Sequence, residues 1–167
     1  CKDRTIISNG FSKAFAMTGW RLGAIIGPSV VIEKMKLLLE TTSSCVSPFI
    51  QKAGIEAISG DQSRTINMYK EYNERRELIV DGLNSITSIS CVKPSGAFYV
   101  FPNIKNTGMT SIEFANYILD DANVAVLPGT NFGEYGEGYV RLCYATTKEK
   151  INEAIKRIDL SMRKLNL

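Results

Sequence analysis

The amino-acid sequence predicts an α/β fold in two parts, and three observations carry that reading. Short β-branched or apolar runs alternate with longer stretches of helical spacing. Beyond a long helical pattern that runs to about residue 86, the composition shifts to alternating strands and turns that close on one more amphipathic helix. No internal repeat or low-complexity segment interrupts the pattern. The expected division is 1–70 and 71–167, the second part a small α/β sandwich.

The elements follow in order. Residues 4–8, apolar at Ile6 and Ile7, read as a buried strand ending near Ser8, and the apolar run 23–28 as a second one. Ser29 opens a helix whose apolar positions are Val30, Val31, Met35, Leu38 and Leu39; the small residues 41–44 end it. Pro48 suits the first turn of a helix over 49–58, and Gly60 its end. A long helix over 61–86 is capped by Asp61, shows Ile66, Tyr69, Leu78, Ile79 and Leu83 on one face, and solvates the charge run 70–77. Strands are expected over 90–94 and 97–101, with Ser95 and Gly96 turning between them. Thr110 or Ser111 caps a helix through Leu119, strands follow at 124–126 and 138–144, and a helix over 149–165 carries Ile151, Ala154, Ile155, Ile158, Met162 and Leu165 on one face.

Charge and cysteine usage exclude some functions. A net charge of +3 with no basic run argues against nucleic acid or a membrane surface as partner. No apolar run is long enough to span a bilayer, and the polar start, CKDR, has no signal-peptide pattern. The four cysteines, Cys1, Cys45, Cys91 and Cys143, are widely spaced, three of them in apolar surroundings, which suits reduced thiols in the cytoplasm. With no histidine, a zinc site or a histidine relay has little to build on, so no metal is expected.

Chemistry enters at Lys13, which follows a strand end within a glycine- and hydroxyl-rich loop, a usual place for sites in α/β sheets. A lysine shielded from water beside another cation loses its proton near neutral pH, and the neutral amine attacks carbonyls. Arg21 is such a cation, and its planar fork suits a phosphate; together the two suggest a phosphorylated aldehyde. On spacing alone, a solvated surface lysine is the commoner reading. Arg141 is the second candidate. It sits in an apolar strand, where an unpaired charge is costly, so it should meet an anion, pair with a local carboxylate such as Glu137, or point to solvent. Gly96 and Gly133 suit sharp turns or close backbone approach, and Trp20, Phe98, Phe101 and Phe132 read as core residues before ligand contacts.

The stretch SNGFSKAFAMTGWRLG (8–23) closely resembles the lysine-attachment motif of the class I/II pyridoxal-phosphate-dependent aminotransferases of fold type I. PSGAFYVFP (94–102) resembles that family's small-domain hairpin, and LPGTNFG (127–133) with EGYVRLCYA (137–145) its carboxylate-binding strand. The three motifs keep the family's order across nearly the whole chain. The resemblance implies that residues 1–70 end the cofactor-binding large domain and 71–167 form the small domain. It implies that Lys13 holds pyridoxal 5′-phosphate as a Schiff base, that Arg21 binds its phosphate, that Ser12 or Ser8 assists, and that Arg141 grips the substrate carboxylate. Gly10 stands where many members carry a serine, which leaves the hydroxyl assignment open.

The expected activity is transfer of an amino group from an L-amino acid such as aspartate to a 2-oxo acid such as 2-oxoglutarate, by a cytoplasmic homodimer. Members carry the lysine motif in mid-chain, so the resemblance also implies that this is the C-terminal portion of a longer chain, inactive by itself, with further cofactor contacts upstream. Two alternatives stand beside it. A fold type I β-lyase, decarboxylase or synthase would share Lys13, Arg21 and Arg141, and keto-acid acceptors would separate it. A non-catalytic fragment or the effector module of a transcription regulator would show itself by an upstream DNA-binding segment; this chain has no helix-turn-helix pattern.

Overall fold

The computed structural model describes residues 1–166. Two compact units divide the chain, Cys1–Met68 and Tyr69–Leu167.

In the first unit, β1 (Ile7–Gly10) and β2 (Gly23–Ile26) form an antiparallel pair, with Ile7 opposite Ile26 and Gly10 opposite Gly23. One helical turn, α1 (Phe11–Ala14), lies between them, and α2 (Ser29–Thr42) and α3 (Pro48–Ser59) follow. The expected strand at 4–8 is displaced to β1, and neither strand is buried: Ile6 and Ile7 are about half exposed, and Ile25 and Ile26 also face solvent. A two-stranded sheet has no flanking strands to complete a core, and α2 and α3 leave its isoleucines open. No residue of α2 is buried, and in α3 only Gly54 is. Phe11 and Met17 form what core there is.

Helix α4 (Ser63–Asn84) crosses the division between the units, and the Asp61 carboxylate accepts the Ser63 backbone N–H at 2.9 Å at its start. Of the expected apolar face, Ile79 and Leu83 are buried, whereas Ile66 and Tyr69 are exposed.

The second unit has a closed core. Its antiparallel sheet has the order β3 (Tyr99–Val100), β5 (Val140–Cys143), β4 (Leu127–Pro128). Helices α5 (Ser111–Ala122) and α6 (Lys148–Lys164) pack on each other, and the end of α4 joins them. Leu83, Ile104, Phe114, Ile118, Val140, Ile158 and Met162 are almost fully buried. Each such side chain stabilises the fold by roughly 1.5–3 kcal/mol relative to exposure. Gly82 lets α4 approach α6 closely: a Cβ there would collide with the Ile155 side chain.

Helix ends in this unit are well satisfied. Thr110 and Glu113 make a reciprocal capping box on α5, and Asn123 closes it in the left-handed conformation. Asp121 of α5 accepts from Ser161 and Lys164 of α6, and the Lys164 ammonium is the main reason its carboxyl titrates below the usual range. Asn84 bonds both backbone groups of Cys91, fixing the chain after α4.

The strand expected at 90–94 reduces to one bridge, Ser90 with Asn103, because Asn84 takes the Cys91 backbone groups instead. The strand expected at 124–126 lies at β4, where pairing with β5 is available. Cys91 is buried, and desolvation pushes its thiol up to about 11; Cys1, Cys45 and Cys143 are exposed rather than core-like.

Candidate functional site

The first part of the site is the loop between β1 and β2. The pairing of Gly10 with Gly23 and a bond from the Phe11 N–H to the Leu22 carbonyl at 3.1 Å close its neck. Lys13 stands three residues beyond one side of that neck, and Arg21 two residues before the other. A closed neck therefore places ammonium and guanidinium on one small excursion of chain. Helix α3 presses on the neck through Gly54, where a Cβ would lie 2.5 Å from Leu22 Cδ2 and 3.6 Å from the Phe11 ring. That close approach explains why a small residue stands there.

Within the loop, Ala16 and Arg21 both take the left-handed conformation, with φ of 53° and 52°. Such backbone is unfavourable for residues with a Cβ and persists only where the surroundings enforce it, often at functional sites. At Arg21 it ends the short helical turn Thr18–Trp20, and one guanidinium nitrogen donates to the Thr18 carbonyl at 2.9 Å. That bond uses one of five donors and leaves the rest of the fork available. Lys13 lies in α1 rather than in irregular loop and is exposed, as are Arg21 and Ser8; Ser12 is half-buried. The described residues therefore do not supply the shielding from water that the sequence argument asks of Lys13. Trp20 is 42% exposed, so it is not a core residue.

Arg141 belongs to the second unit, on the central strand β5, with Leu127 of β4 opposite. It is half-buried. Its guanidinium carbon lies 4.3 Å from the centroid of the Tyr99 ring and 4.3 Å from that of Phe132. No carboxylate among the described residues is within ion-pair distance of it. Glu137, the local alternative, is engaged elsewhere: its carboxylate accepts the Ser111 N–H at 2.8 Å, the Ser111 hydroxyl at 3.2 Å and the Gly138 N–H at 3.0 Å. Those bonds, the Ser111 N–H first, hold its carboxyl below the usual range. Arg141 is thus a fixed cation stacked on aromatic rings and available to an outside anion.

Backbone geometry fixes the rings. Tyr99 is paired opposite Cys143 on β5. Phe132 ends the short helical turn Gly129–Phe132. Gly133 follows with φ 117°, and Gly129 and Gly136 approach so closely that a Cβ on either would meet the other's carbonyl. Phe101 meets Phe132 edge-on and stacks on Tyr139, with Lys105 Nζ 5.2 Å from the Tyr139 centroid. Phe101 and Phe132 are therefore not core, being 39% and 48% exposed. Ala97, not Gly96, carries the left-handed turn before β3, and the buried Tyr144 hydroxyl donates to the Ala97 carbonyl at 2.9 Å. Nothing in the sequence singles out Tyr99: only strand register shows that it reaches Arg141.

The donor set fits a phosphorylated aldehyde cofactor, since a primary amine and a largely free guanidinium share one closed loop. Comparison with known proteins agrees. The family model for aminotransferase class I and II matches residues 2–158. The chain is 50% identical over 162 residues to an aspartate aminotransferase of Pyrococcus horikoshii, covering 96% of this chain and 41% of that protein. Against aromatic-amino-acid aminotransferase 2 of Thermococcus litoralis it is 45% identical over 167 residues, 99% of this chain and 43% of that one. Among solved structures, an aromatic aminotransferase from Pyrococcus horikoshii superposes with a TM-score of 0.94 at 46% identity, over 99% of this chain and 44% of that chain. The aspartate aminotransferase of Rhizobium meliloti gives 0.91 at 37% identity, over 97% and 42%. The chain thus spans a little over two fifths of these relatives' length. The match runs through both cationic motifs and nearly every residue between them, and on that ground the chain belongs to the class I and II aminotransferases, pyridoxal-phosphate enzymes of fold type I.

Proposed function

We propose that the full-length protein is an aminotransferase that moves an amino group between an L-amino acid and a 2-oxo acid, and that residues 1–70 and 71–167 are its large-domain end and its small domain. The observation that carries this reading is the closed β1–β2 loop, which holds an amine and an arginine fork on one excursion of chain. The names of the relatives favour transamination over lyase or decarboxylase chemistry, and aspartate and aromatic amino acids are the substrate classes they suggest.

In this reading Lys13 Nζ anchors pyridoxal 5′-phosphate and then moves the proton at the substrate Cα. Arg21 holds the phosphate with the donors not given to Thr18, and the Ser12 hydroxyl assists. Arg141 binds the substrate carboxylate through its fork and orients the Cα–H bond. The cofactor, when bound, supplies an electron sink for the pair left at Cα. Localisation in the cytoplasm suits the free thiols, and among the described residues no helix is long and apolar enough to cross a membrane. A homodimeric assembly suits the apolar surface that the first unit leaves exposed.

The test is an absorbance titration of full-length protein with pyridoxal phosphate, followed by candidate amino acids, beside Lys13→Ala. A cofactor band that requires Lys13 and is converted by an amino acid, with release of the matching 2-oxo acid, supports the proposal. A band indifferent to Lys13 overturns it.

A further inference from the structure

We infer that Tyr99 and Phe132 are positioning residues for Arg141, which they hold by both ring faces so that its N–H edge stays directed at a substrate carboxylate. The inference rests on the proposed role of Arg141 and adds to it the reason that arginine can serve.

A guanidinium can be held through its N–H donors or through its flat face. A carboxylate holds it through the N–H donors and thereby occupies them. An aromatic ring holds it through the flat face and leaves all in-plane donors open. Arg141 shows the second arrangement twice, with both centroids at 4.3 Å and no carboxylate of the described residues within ion-pair reach. The nearest candidate in sequence, Glu137, is turned away by three bonds to Ser111 and Gly138.

Both rings are themselves fixed. Tyr99 is held by its pairing with β5, and Phe132 by the close approach of Gly129 to Gly136 and by the edge of Phe101 at 6.1 Å. Rotation of the fork out of the gap would lose one or both ring contacts. The carboxylate therefore meets a donor pair whose orientation is set beforehand, and less freedom is lost on binding. The lining is also chemically selective, since a ring face attracts the cation and repels a stray anion approaching from either side.

The test uses the full-length holoenzyme with the variants Tyr99→Leu, Phe132→Leu, Tyr99→Phe and Arg141→Ala, each measured for kcat, for KM of amino acid and of 2-oxo acid, and for calorimetric binding of a 2-oxo acid. Phe132 is half exposed, so its truncation leaves the core intact. Each leucine variant is expected to raise both KM values and the calorimetric Kd about tenfold, with kcat changed less than about twofold. Tyr99→Phe keeps the ring and restores KM to within about twofold of the parent. Unchanged KM in both leucine variants, while Arg141→Ala raises it, overturns the positioning role alone. Unchanged KM in Arg141→Ala overturns the carboxylate assignment together with this inference. Equal loss of binding in Tyr99→Phe and Tyr99→Leu overturns the ring-face argument in favour of the hydroxyl.

Discussion

Ile158 and Leu38 are both aliphatic residues on the apolar stripe of an amphipathic helix, yet Ile158 is 1% exposed and Leu38 is 64% exposed. The contrast holds across the molecule. In the second unit the faces of α4, α5 and α6 close on a small sheet, and the helix ends are capped and cross-linked by Asp121, Ser161 and Tyr117. In the first unit α2 buries nothing, and Phe49, Ile55 and Ile58 of α3 lie open. The second unit supplies its own core, whereas the first displays an apolar surface that the described residues do not cover. The proposed sites follow the same division. Arg141 sits in a finished aromatic frame, while Lys13 and Arg21 stand on a shaped but uncovered loop.

Substitution in the two cores breaks or sharpens this comparison. Phe114→Ala should cost about 3–5 kcal/mol, because it empties a site 1% exposed in a closed core. Denaturant unfolding of the chain measures it, and a loss below about 1 kcal/mol would mean the second core is not closed in solution. Tyr144→Phe should cost about 1 kcal/mol, since it removes the bond from the buried Tyr144 hydroxyl to the exposed Ala97 residue's carbonyl.

Glu137 supplies a pH dependence. Its carboxyl is held below the ordinary value in the folded state, so its stabilising contribution is present above that value and is lost as pH falls through the lower folded pKa. Glu137→Gln should therefore flatten part of the acid limb of a stability–pH curve, and an unchanged limb would show that its bonds to Ser111 and Gly138 do not persist. The smallest effect is expected for Leu38→Ala in this chain, below about 0.5 kcal/mol, because the side chain is already in water. A cost above about 2 kcal/mol would show that the α2 face is covered in solution, by self-association, and would erase the contrast.

The same contrast explains what the sequence could tell. Helices were legible in both units because period and caps are local: Pro48, Asp61 and Thr110 all mark helix starts where the sequence expects them. Burial was legible only where the described residues supply the covering elements. Ile151, Ile158 and Met162 are core as expected, but Ile6, Ile7, Leu38 and Ile66, patterned in the same way, are not. The short strands drifted for a related reason. Pairing partners decide them, so the strand sought at 124–126 lies at Leu127–Pro128 and the one sought at 90–94 gives way to the Asn84 clamp. At the proposed sites, motif and residue chemistry single out the cations. Their surroundings were not legible: the strained backbone at Arg21 and the ring at Tyr99 depend on turn closure and register, which a single sequence does not display.

The central claim is that the loop closed by Gly10 and Gly23 presents Lys13 as the cofactor-bearing amine. It is tested most directly by treating full-length protein loaded with pyridoxal phosphate with borohydride, which makes the lysine–cofactor link permanent, and mapping the labelled peptide by mass spectrometry. The account predicts one dominant label, on Lys13, lost in Lys13→Ala. A label spread over other lysines, or one that survives the substitution, would contradict it.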